Sequence, residues 1–210
     1  DLPASTALVV GNIFDMTAIG EEPRERTAVY VTASDVTVSD NQIYVRGEYD
    51  PLLTGIRLRD DALNIDVHDN LLRNCGTGIS TGRMGGKVGE VLDSKTFMRG
   101  LWRNTPPLMH RNSHCYRGWN IVWLTNELPE GASIIDQFDP ESRQFHLRQP
   151  REMKVGQMFE MFPAAGANWN IHDNTITACL KPVVLDCYGS ESSLLRQNLI
   201  TRGDVAGVAA

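Results

Sequence analysis

Several features that would place this chain in a familiar functional class are missing from it. No run of about 18 apolar residues occurs, so no transmembrane helix is expected. No excess of basic residues is present either: the formal net charge is −6, which argues against a general nucleic-acid binder, because phosphate neutralisation needs a basic surface. Lysine is scarce, with 4 lysines against 16 arginines. The planar guanidinium of arginine suits carboxylate and sulfate groups, so an anionic sugar is not excluded as a substrate. Genome composition explains the bias toward arginine equally well.

The cysteines also lack the C-x-x-C spacing of a zinc knuckle. Cys75 and Cys179 each lie five residues after an asparagine of the repeated frame described below, and this shared phase predicts a common inward column. We expect buried free thiols there, because free cysteine is among the most buried residue types. A disulfide is the alternative if the protein is exported, and the sequence does not fix a pairing among Cys75, Cys115, Cys179 and Cys187.

No convincing amphipathic helix pattern appears along the chain, and we expect little helix beyond a short piece around residues 89–97. The 210 residues are 41% hydrophobic and 22% charged, which is ordinary for a soluble globular protein. This length is enough for one large domain or two small ones. No signal peptide is visible at Asp1, which is compatible with a chain that starts after processing or trimming.

A short frame recurs along the chain and is the best guide to its architecture. It reads apolar-x-x-Asn-x-apolar, and only His114 breaks it, by taking the second apolar place. A recurring frame indicates stacked structural units, each burying its apolar face against the next. The asparagines of the frame are Asn12, Asn41, Asn70, Asn112, Asn174 and Asn198.

The spacing of these asparagines predicts turns of a parallel β-helix. They are 29, 29, 42, 62 and 24 residues apart, and a bare turn takes roughly 20–29 residues, so the longer intervals carry inserted loops. Apolar and polar residues alternate before each asparagine, as in Val36-Thr37-Val38, which is typical of a strand. The phase changes after the asparagine, so we expect a bend there, with the asparagine itself in the left-handed conformation. Asparagines on neighbouring turns are expected to bond one another as a ladder.

Two segments interrupt the pattern. Residues 82–107 are rich in glycine and arginine and are interpreted as a long loop. Residues 127–166, with a turn signal at Asp139-Pro140, are interpreted as a small antiparallel β insertion. The sequence therefore predicts one domain, alone or within a longer solenoid, with parallel turns over 1–126, the insertion at 127–166 and further turns over 167–210. A third strand per turn is predicted at 54–61, 77–82, 118–124 and 181–189.

The segments VTVSDNQI, IDVHDNLLRNCGTGI and WNIHDNTITAC resemble the right-handed single-stranded parallel β-helix of the pectin-lyase-like superfamily. The resemblance covers roughly residues 5–81, 107–126 and 167–205. It implies an all-β fold, a carbohydrate-related role and an extracellular or periplasmic location. It does not choose among lyases, hydrolases, epimerases, esterases, tailspikes and surface proteins, since one fold carries many functions. The paired-aspartate and Gly-His-Gly signature of polygalacturonases and the arginine motifs of pectate lyases are both missing.

A column of histidines is the most unusual alignment. His68, His110 and His172 each lie two residues before an asparagine of the frame, so we expect them to stack on consecutive turns, about 4.8 Å apart, and to face outward. Arg196 continues the column on the next turn. Such histidines could act as acid–base groups, bind substrate or ligate a metal. The alternative is a solvated face on which histidine is merely tolerated.

The face of the third strands is the second candidate site, because β-helix carbohydrate enzymes commonly place their cleft along such a face. For a lyase, Arg57 or Arg59 would neutralise the carboxylate of a uronic acid and Lys181 would act as the base. The alternative is a charged face laced with surface ion pairs. Further residues on or just after these strands are candidates for substrate binding, namely Arg83, Trp123, Asn126 and Tyr188.

Hydrolysis would instead need two carboxylates roughly 5–10 Å apart, and Asp60, Asp61 and Asp186 are the candidates. His114 stands where other turns carry an apolar residue, so we expect either a hydrogen-bonded core histidine or a side chain redirected toward a site. Trp123 could stack on a sugar ring, although packing in the core is the commoner fate of tryptophan.

Together these observations predict a carbohydrate-active β-helix protein that binds or cleaves a polysaccharide, with a lyase slightly favoured over a hydrolase. The alternative is a non-catalytic structural or adhesive module, tailspike-like or at a cell surface, that displays the 127–166 insertion. No nucleic acid and no membrane span are expected. No cofactor is required by the sequence, a divalent cation such as calcium remains open, and so does an oligomer.

Overall fold

A computed structural model describes residues 6–17, 26–47, 50–59, 62–81, 85–100, 113–126, 128–185 and 192–201. Seven residues named above as candidates or as part of the asparagine frame lie outside these described residues. They are Asp60, Asp61, Arg83, His110, Asn112, Asp186 and Tyr188.

Strands dominate the described chain. In chain order they are β1 (Ala7–Val10), β2 (Ile13–Asp15), β3 (Arg26–Val31), β4 (Val36–Ser39), β5 (Gln42–Tyr44), β6 (Asp50–Leu58), β7 (Ile65–His68), β8 (Leu71–Arg73), β9 (Cys75–Thr81), β10 (Gly85–Val91), β11 (Thr96–Arg99), β12 (Asn120–Thr125), β13 (Leu128–Asp139), β14 (Gln144–Leu147), β15 (Met158–Phe162), β16 (Trp169–His172), β17 (Thr175–Thr177), β18 (Lys181–Val184), β19 (Leu194–Arg196) and β20 (Leu199–Thr201). Contacts divide the chain into two compact units, one of Asp1–Gly82 with Ala167–Ala210 and one of Arg83–Gly166.

The first unit consists of three parallel sheets that the chain visits in rotation. Their strand orders are β1-β4-β7-β16-β19, β2-β5-β8-β17-β20 and β18-β9-β6-β3. Equivalent residues of successive passes are paired, as Val38 is with Val67 and Val67 with Ile171, and all three side chains are fully buried. The alternation of these apolar residues with outward polar ones accounts for strands with one buried face. The predicted all-β, parallel architecture is confirmed, and it is consistent with a β-helix-like fold.

A ladder of asparagines runs through the first unit. Each asparagine donates its backbone N–H and its side-chain Nδ2–H to Oδ1 of the next, at distances between 2.9 and 3.1 Å. Asn41, Asn70 and Asn174 are buried, so these bonds satisfy polar groups that would otherwise be costly inside the core. The predicted ladder is confirmed over Asn12, Asn41, Asn70, Asn174 and Asn198.

The bend beside each asparagine is made by a different residue from the one predicted. The left-handed backbone belongs to the residue just before the asparagine, with φ of 56° at Asp40, 55° at Asp69 and 53° at Asp173. Aspartate adopts this conformation more readily than most side chains. The asparagine is thereby left free to point inward and bond the ladder.

The order of turns also differs from the prediction. Strand β7 pairs directly with β16, and Asn70 bonds Asn174, whereas a turn between them was predicted. The whole second unit is inserted in the connection between two adjacent turns. A long insertion is tolerated there because the entropy of loop closure grows only slowly with length.

The second unit is a closed antiparallel barrel of β10-β11-β14-β13-β12-β15. The segment interpreted as a long loop contains β10 and β11, and the short helix expected around residues 89–97 is instead the end of β10 and the start of β11. The segment 118–124, expected as a third parallel strand, is mainly β12 of the barrel. The antiparallel insertion is thus larger than predicted. Buried aromatic rings fill it, among them Phe97, Tyr116, Trp123, Phe138, Phe145 and Phe159.

Among the helices of the described residues, none has the length and apolar character needed to cross a membrane.

Candidate functional site

Two histidines stack on the outer face of the first parallel sheet. His68 ends β7 and His172 ends β16, and the two are register partners. The residues before them, Val67 and Ile171, are fully buried, so alternation turns both imidazoles outward. The ring planes lie 9° apart and the centroids are separated by 5.1 Å. The predicted alignment of His68 and His172 is present, whereas His110 lies outside the described residues.

Each histidine is held by the aspartate that follows it. Nδ1 of His68 lies 2.7 Å from Oδ2 of Asp69, and Nδ1 of His172 lies 2.6 Å from Oδ2 of Asp173. The left-handed backbone at both aspartates brings the carboxylate back beside the preceding ring. A carboxylate at Nδ1 fixes the orientation and the tautomer of an imidazole, which is the arrangement used for acid–base histidines.

The two imidazoles differ at their second nitrogen. Nε2 of His172 lies 3.1 Å from Oδ1 of Asp66, an oxygen that also accepts a hydrogen bond from Nδ2 of Asn170 at 3.0 Å. An ionised carboxylate only accepts hydrogen bonds, so both contacts of His172 are satisfied when both ring nitrogens carry hydrogen. Nε2 of His68 contacts no hydrogen-bond partner among the described residues. With Nδ1–H directed to Asp69, this nitrogen presents a lone pair.

The column continues beyond the pair. On the neighbouring strand β4, the register partner of His68 is Ser39, which is buried. On the neighbouring strand β19, the register partner of His172 is Arg196, which is exposed. The outer face therefore carries two imidazoles and one guanidinium on three adjacent strands. Among the described residues, no group of three or more His, Cys, Asp or Glu side chains has an arrangement that could hold a metal ion.

The basic residues predicted on the third-strand face lie on one sheet but not at one place. Strand β9 lies between the strands of these two residues: Arg57 pairs in register with Ser80 of β9, and Lys181 pairs with Thr77 of β9. With standard strand spacing and rise, their Cα atoms are roughly 14 Å apart. The guanidinium of Arg57 lies over the ring of Tyr30, 5.8 Å from its centroid. Lys181 is exposed at the start of β18, and Arg59 follows β6.

Two predicted substrate-binding residues belong to the second unit. Trp123 is fully buried, its indole N–H donates to Ser133 Oγ at 2.9 Å, and its ring packs on Phe97 and Phe159. Its prediction as a residue that stacks on sugar is wrong, because no face of the ring is open to solvent. Asn126 is exposed after β12 and lines a cleft of about 780 Å³.

His114 is exposed within a turn, so its interpretation as an inward residue of a parallel strand is wrong. It belongs to the second unit, where the frame around Asn112 carries no equivalent strand among the described residues.

The thiols of Cys75 and Cys179 meet on adjacent turns of the first unit. Both are free and buried, as predicted, and Cys115 is half-buried. The neighbouring thiol of Cys179, together with burial, raises the pKa of Cys75 above its ordinary range. A thiol of this kind is unreactive, because the thiolate is the nucleophile.

The sequence analysis assigned no role to Asp69 and Asp173. The signal is present in the chain as the triplet His-Asp-Asn, which occurs at 68–70 and again at 172–174. In each triplet the histidine faces outward, the aspartate makes the bend and the asparagine bonds the next asparagine of the ladder. No protein-family model matches this sequence, and a search of curated proteins finds no match.

Proposed function

We propose that this protein acts on a polysaccharide along the outer face of the β1-β4-β7-β16-β19 sheet, as a lyase. In this proposal the parallel sheets form a right-handed β-helix of the pectin-lyase-like superfamily, and the protein works outside the cytoplasm. The observation that carries the proposal is the pair of parallel imidazoles, His68 and His172, each held by a carboxylate at Nδ1.

The outer face suits the two requirements of elimination from a uronic acid. The lone pair on Nε2 of His68 accepts the proton from the carbon next to the sugar carboxylate. The glycosidic C–O bond then breaks as a carbon–carbon double bond forms, and the leaving oxygen takes up a proton from water. Positive charge near the carboxylate acidifies that C–H group, and the exposed guanidinium of Arg196, the register partner of His172, supplies it.

Hydrolysis is the second candidate, and the carboxylates on the same face favour it. Asp69 and Asp173 directly follow the paired residues His68 and His172, so by strand spacing their backbones are about 5 Å apart, close to the carboxyl separation in retaining glycosidases. Together with Asp66 they would also repel a polyanion. Against hydrolysis, each of the three carboxylates is already engaged in a hydrogen bond with an imidazole.

One assay separates these functions. The protein is incubated with a panel of uronic-acid polymers and neutral polysaccharides, while ultraviolet absorbance reports unsaturated products and a reducing-end assay reports all cleavage. The lyase gives both signals, and the hydrolase gives reducing ends alone. The absence of both signals from every polymer rejects the enzyme and leaves the structural or adhesive module.

Variants then assign the base. His68→Gln is expected to lower the elimination rate about 10²- to 10⁴-fold, the usual contribution of a positioned general base. His146→Gln is the matched control, because this histidine lies in the second unit, bonded to Thr96 Oγ1. Equal rates for His68→Gln and the unaltered protein, with loss of activity in Lys181→Met, would move the site to the third-strand face.

A further inference from the structure

A second binding site is suggested by a cleft in the wall of the barrel. The cleft has a volume of about 390 Å³, within the range of small-molecule sites. It lies between β12, β13 and the segment that follows β14, and its charged lining residues are Arg148 and Arg151. Among the described residues no carboxylate lines it, although acidic residues outnumber basic ones by 26 to 20 in the chain.

The guanidinium of Arg151 is positioned before any ligand arrives. It lies over the indole of Trp123, 5.2 Å from the ring centroid, and that indole is fixed by its bond to Ser133. Gly131 makes room for it: a Cβ at this position would lie 3.0 Å from Nη1 of Arg151, and φ is +142°, a conformation that side chains rarely adopt. The planar guanidinium group of Arg151 is thus held against an aromatic ring, as guanidinium groups are in many oxyanion sites.

The guanidinium groups of this cleft lack acceptors within the described residues. The side chains of Arg148 and Arg151 make no ion pair there, and Nε of Arg151 is buried without a hydrogen-bond partner. A buried donor without a partner is unfavourable, so an acceptor would be favoured. Ser133 accepts the indole hydrogen bond, which leaves its own O–H to donate.

The cleft on the other side of Arg151 has a different character. That cleft is also lined by Glu130 and Glu152, whose carboxylates disfavour an anion. Glu130 there already accepts hydrogen bonds from Thr125 and Gln157. The anion is therefore expected in the smaller cleft.

We propose that the Arg148–Arg151 cleft binds the carboxylate of a small sugar acid. The planar carboxylate suits the guanidinium fork of Arg151, and a hydroxylated ring suits the remaining lining, which offers the amides of Asn120 and Gln149 beside apolar Ile134. Binding needs neither His68 nor any cleavage reaction, so it stands or falls apart from the proposed lyase activity.

The test is a titration of the full-length protein with sodium glucuronate, followed by the indole N–H resonance of Trp123 in ¹⁵N-correlated spectra. That resonance is identified by its loss in Trp123→Phe. Glucuronate is expected to shift it in a saturable manner, and glucose is expected not to. Sodium sulfate lacks the hydroxylated ring that would contact Asn120, Gln149 and Ile134, and it is expected to bind at least about tenfold more weakly.

Variants complete the test. Arg151→Lys keeps the charge but loses the fork, and Arg148→Met removes an exposed side chain without contacts in the core. Each is expected to weaken glucuronate binding by about tenfold or more, whereas Arg73→Met, an exposed arginine of the first unit, leaves it unchanged. No shift with glucuronate, an equal response to glucose or sulfate, or unchanged affinity in Arg148→Met overturns the proposal. Circular dichroism of each variant shows that the barrel is folded.

Discussion

Asn70 donates both its backbone N–H and its side-chain Nδ2–H to the same oxygen, Oδ1 of Asn174, which lies 104 residues further along the chain. The same side-chain nitrogen also lies within hydrogen-bond distance of the carbonyl oxygens of Val38 and His68. One amide therefore joins three successive turns of the first unit. Few other side chains in the core connect so much of the fold.

The first prediction concerns this amide. Asn70→Ala leaves buried backbone and side-chain groups without partners, and we expect the free energy of unfolding to fall by about 1–3 kcal/mol in denaturant titrations. Asn174→Ala is expected to behave in the same way. Asn12→Ala is the matched control, because Asn12 makes the same bond to Asn41 but is exposed. Losses below about 0.5 kcal/mol at both buried positions would contradict the role assigned to the ladder.

The second prediction concerns the insertion. Replacing Arg83–Gly166 by a flexible linker of about eight residues is expected to leave the three parallel sheets folded, because β7 and β16 already pair directly. The shorter connection should stabilise this unit by about 2 kcal/mol, since each doubling of loop length costs about 0.6 kcal/mol. Far-ultraviolet circular dichroism and thermal unfolding measure the outcome. A shortened chain that is unfolded shows that the first unit depends on the second.

A third prediction concerns pH and the buried thiol. The pKa of Cys75 is raised above the ordinary value of 9.0, so the folded protein resists ionisation that the unfolded chain undergoes. The stabilisation is complete below about pH 9 and declines as the pH rises further, because only the unfolded chain then loses the proton. Denaturant titrations between pH 8 and about 10.5 should show a shallower decline in Cys75→Ala than in the unaltered protein. Identical slopes would mean that the thiol is not protected.

A fourth prediction concerns the turn after β13. Ser142 Oγ–H and the backbone N–H of Glu141 donate to Asp139, and these bonds lower the pKa of its carboxyl below the ordinary value of 3.8. The resulting stabilisation is present above about pH 4 and is lost as the pH falls through the lowered folded value. In an NMR titration, Ser142→Ala should raise the pKa of Asp139 toward 3.8. An unchanged value would show that the hydroxyl does not bond the carboxylate.

The parallel stack was predictable because its signal is local. Val38, Asn41 and Ile43 define one turn within six residues, and the same frame around Asn70 and Asn174 needs no knowledge of what lies between. The outward alignment of His68 and His172 follows from that register. For these residues, the alternation of apolar and polar side chains along the strand predicts the same inward and outward faces that the burial shows.

The barrel was not predictable in the same way. The frame around Asn112 predicted a turn between residues 70 and 174, whereas strands β7 and β16 pair directly. Strand β10 contains three glycines and pairs with β15, and β11 pairs with β14, so the stability of both strands comes from the closed sheet and not from local propensity. Trp123 is buried by the same long-range pairing.

The His-Asp-Asn triplet ties the outer surface to the interior. Because the amide of each triplet is locked to the next turn, the 5.1 Å gap between the imidazoles is inherited from the pitch of the scaffold and cannot be tuned on its own. The two rings therefore present a single, invariant spacing to any ligand on this face. Under the proposed function, a polymer whose reactive groups are not spaced to match this separation does not engage both rings, whatever its charge.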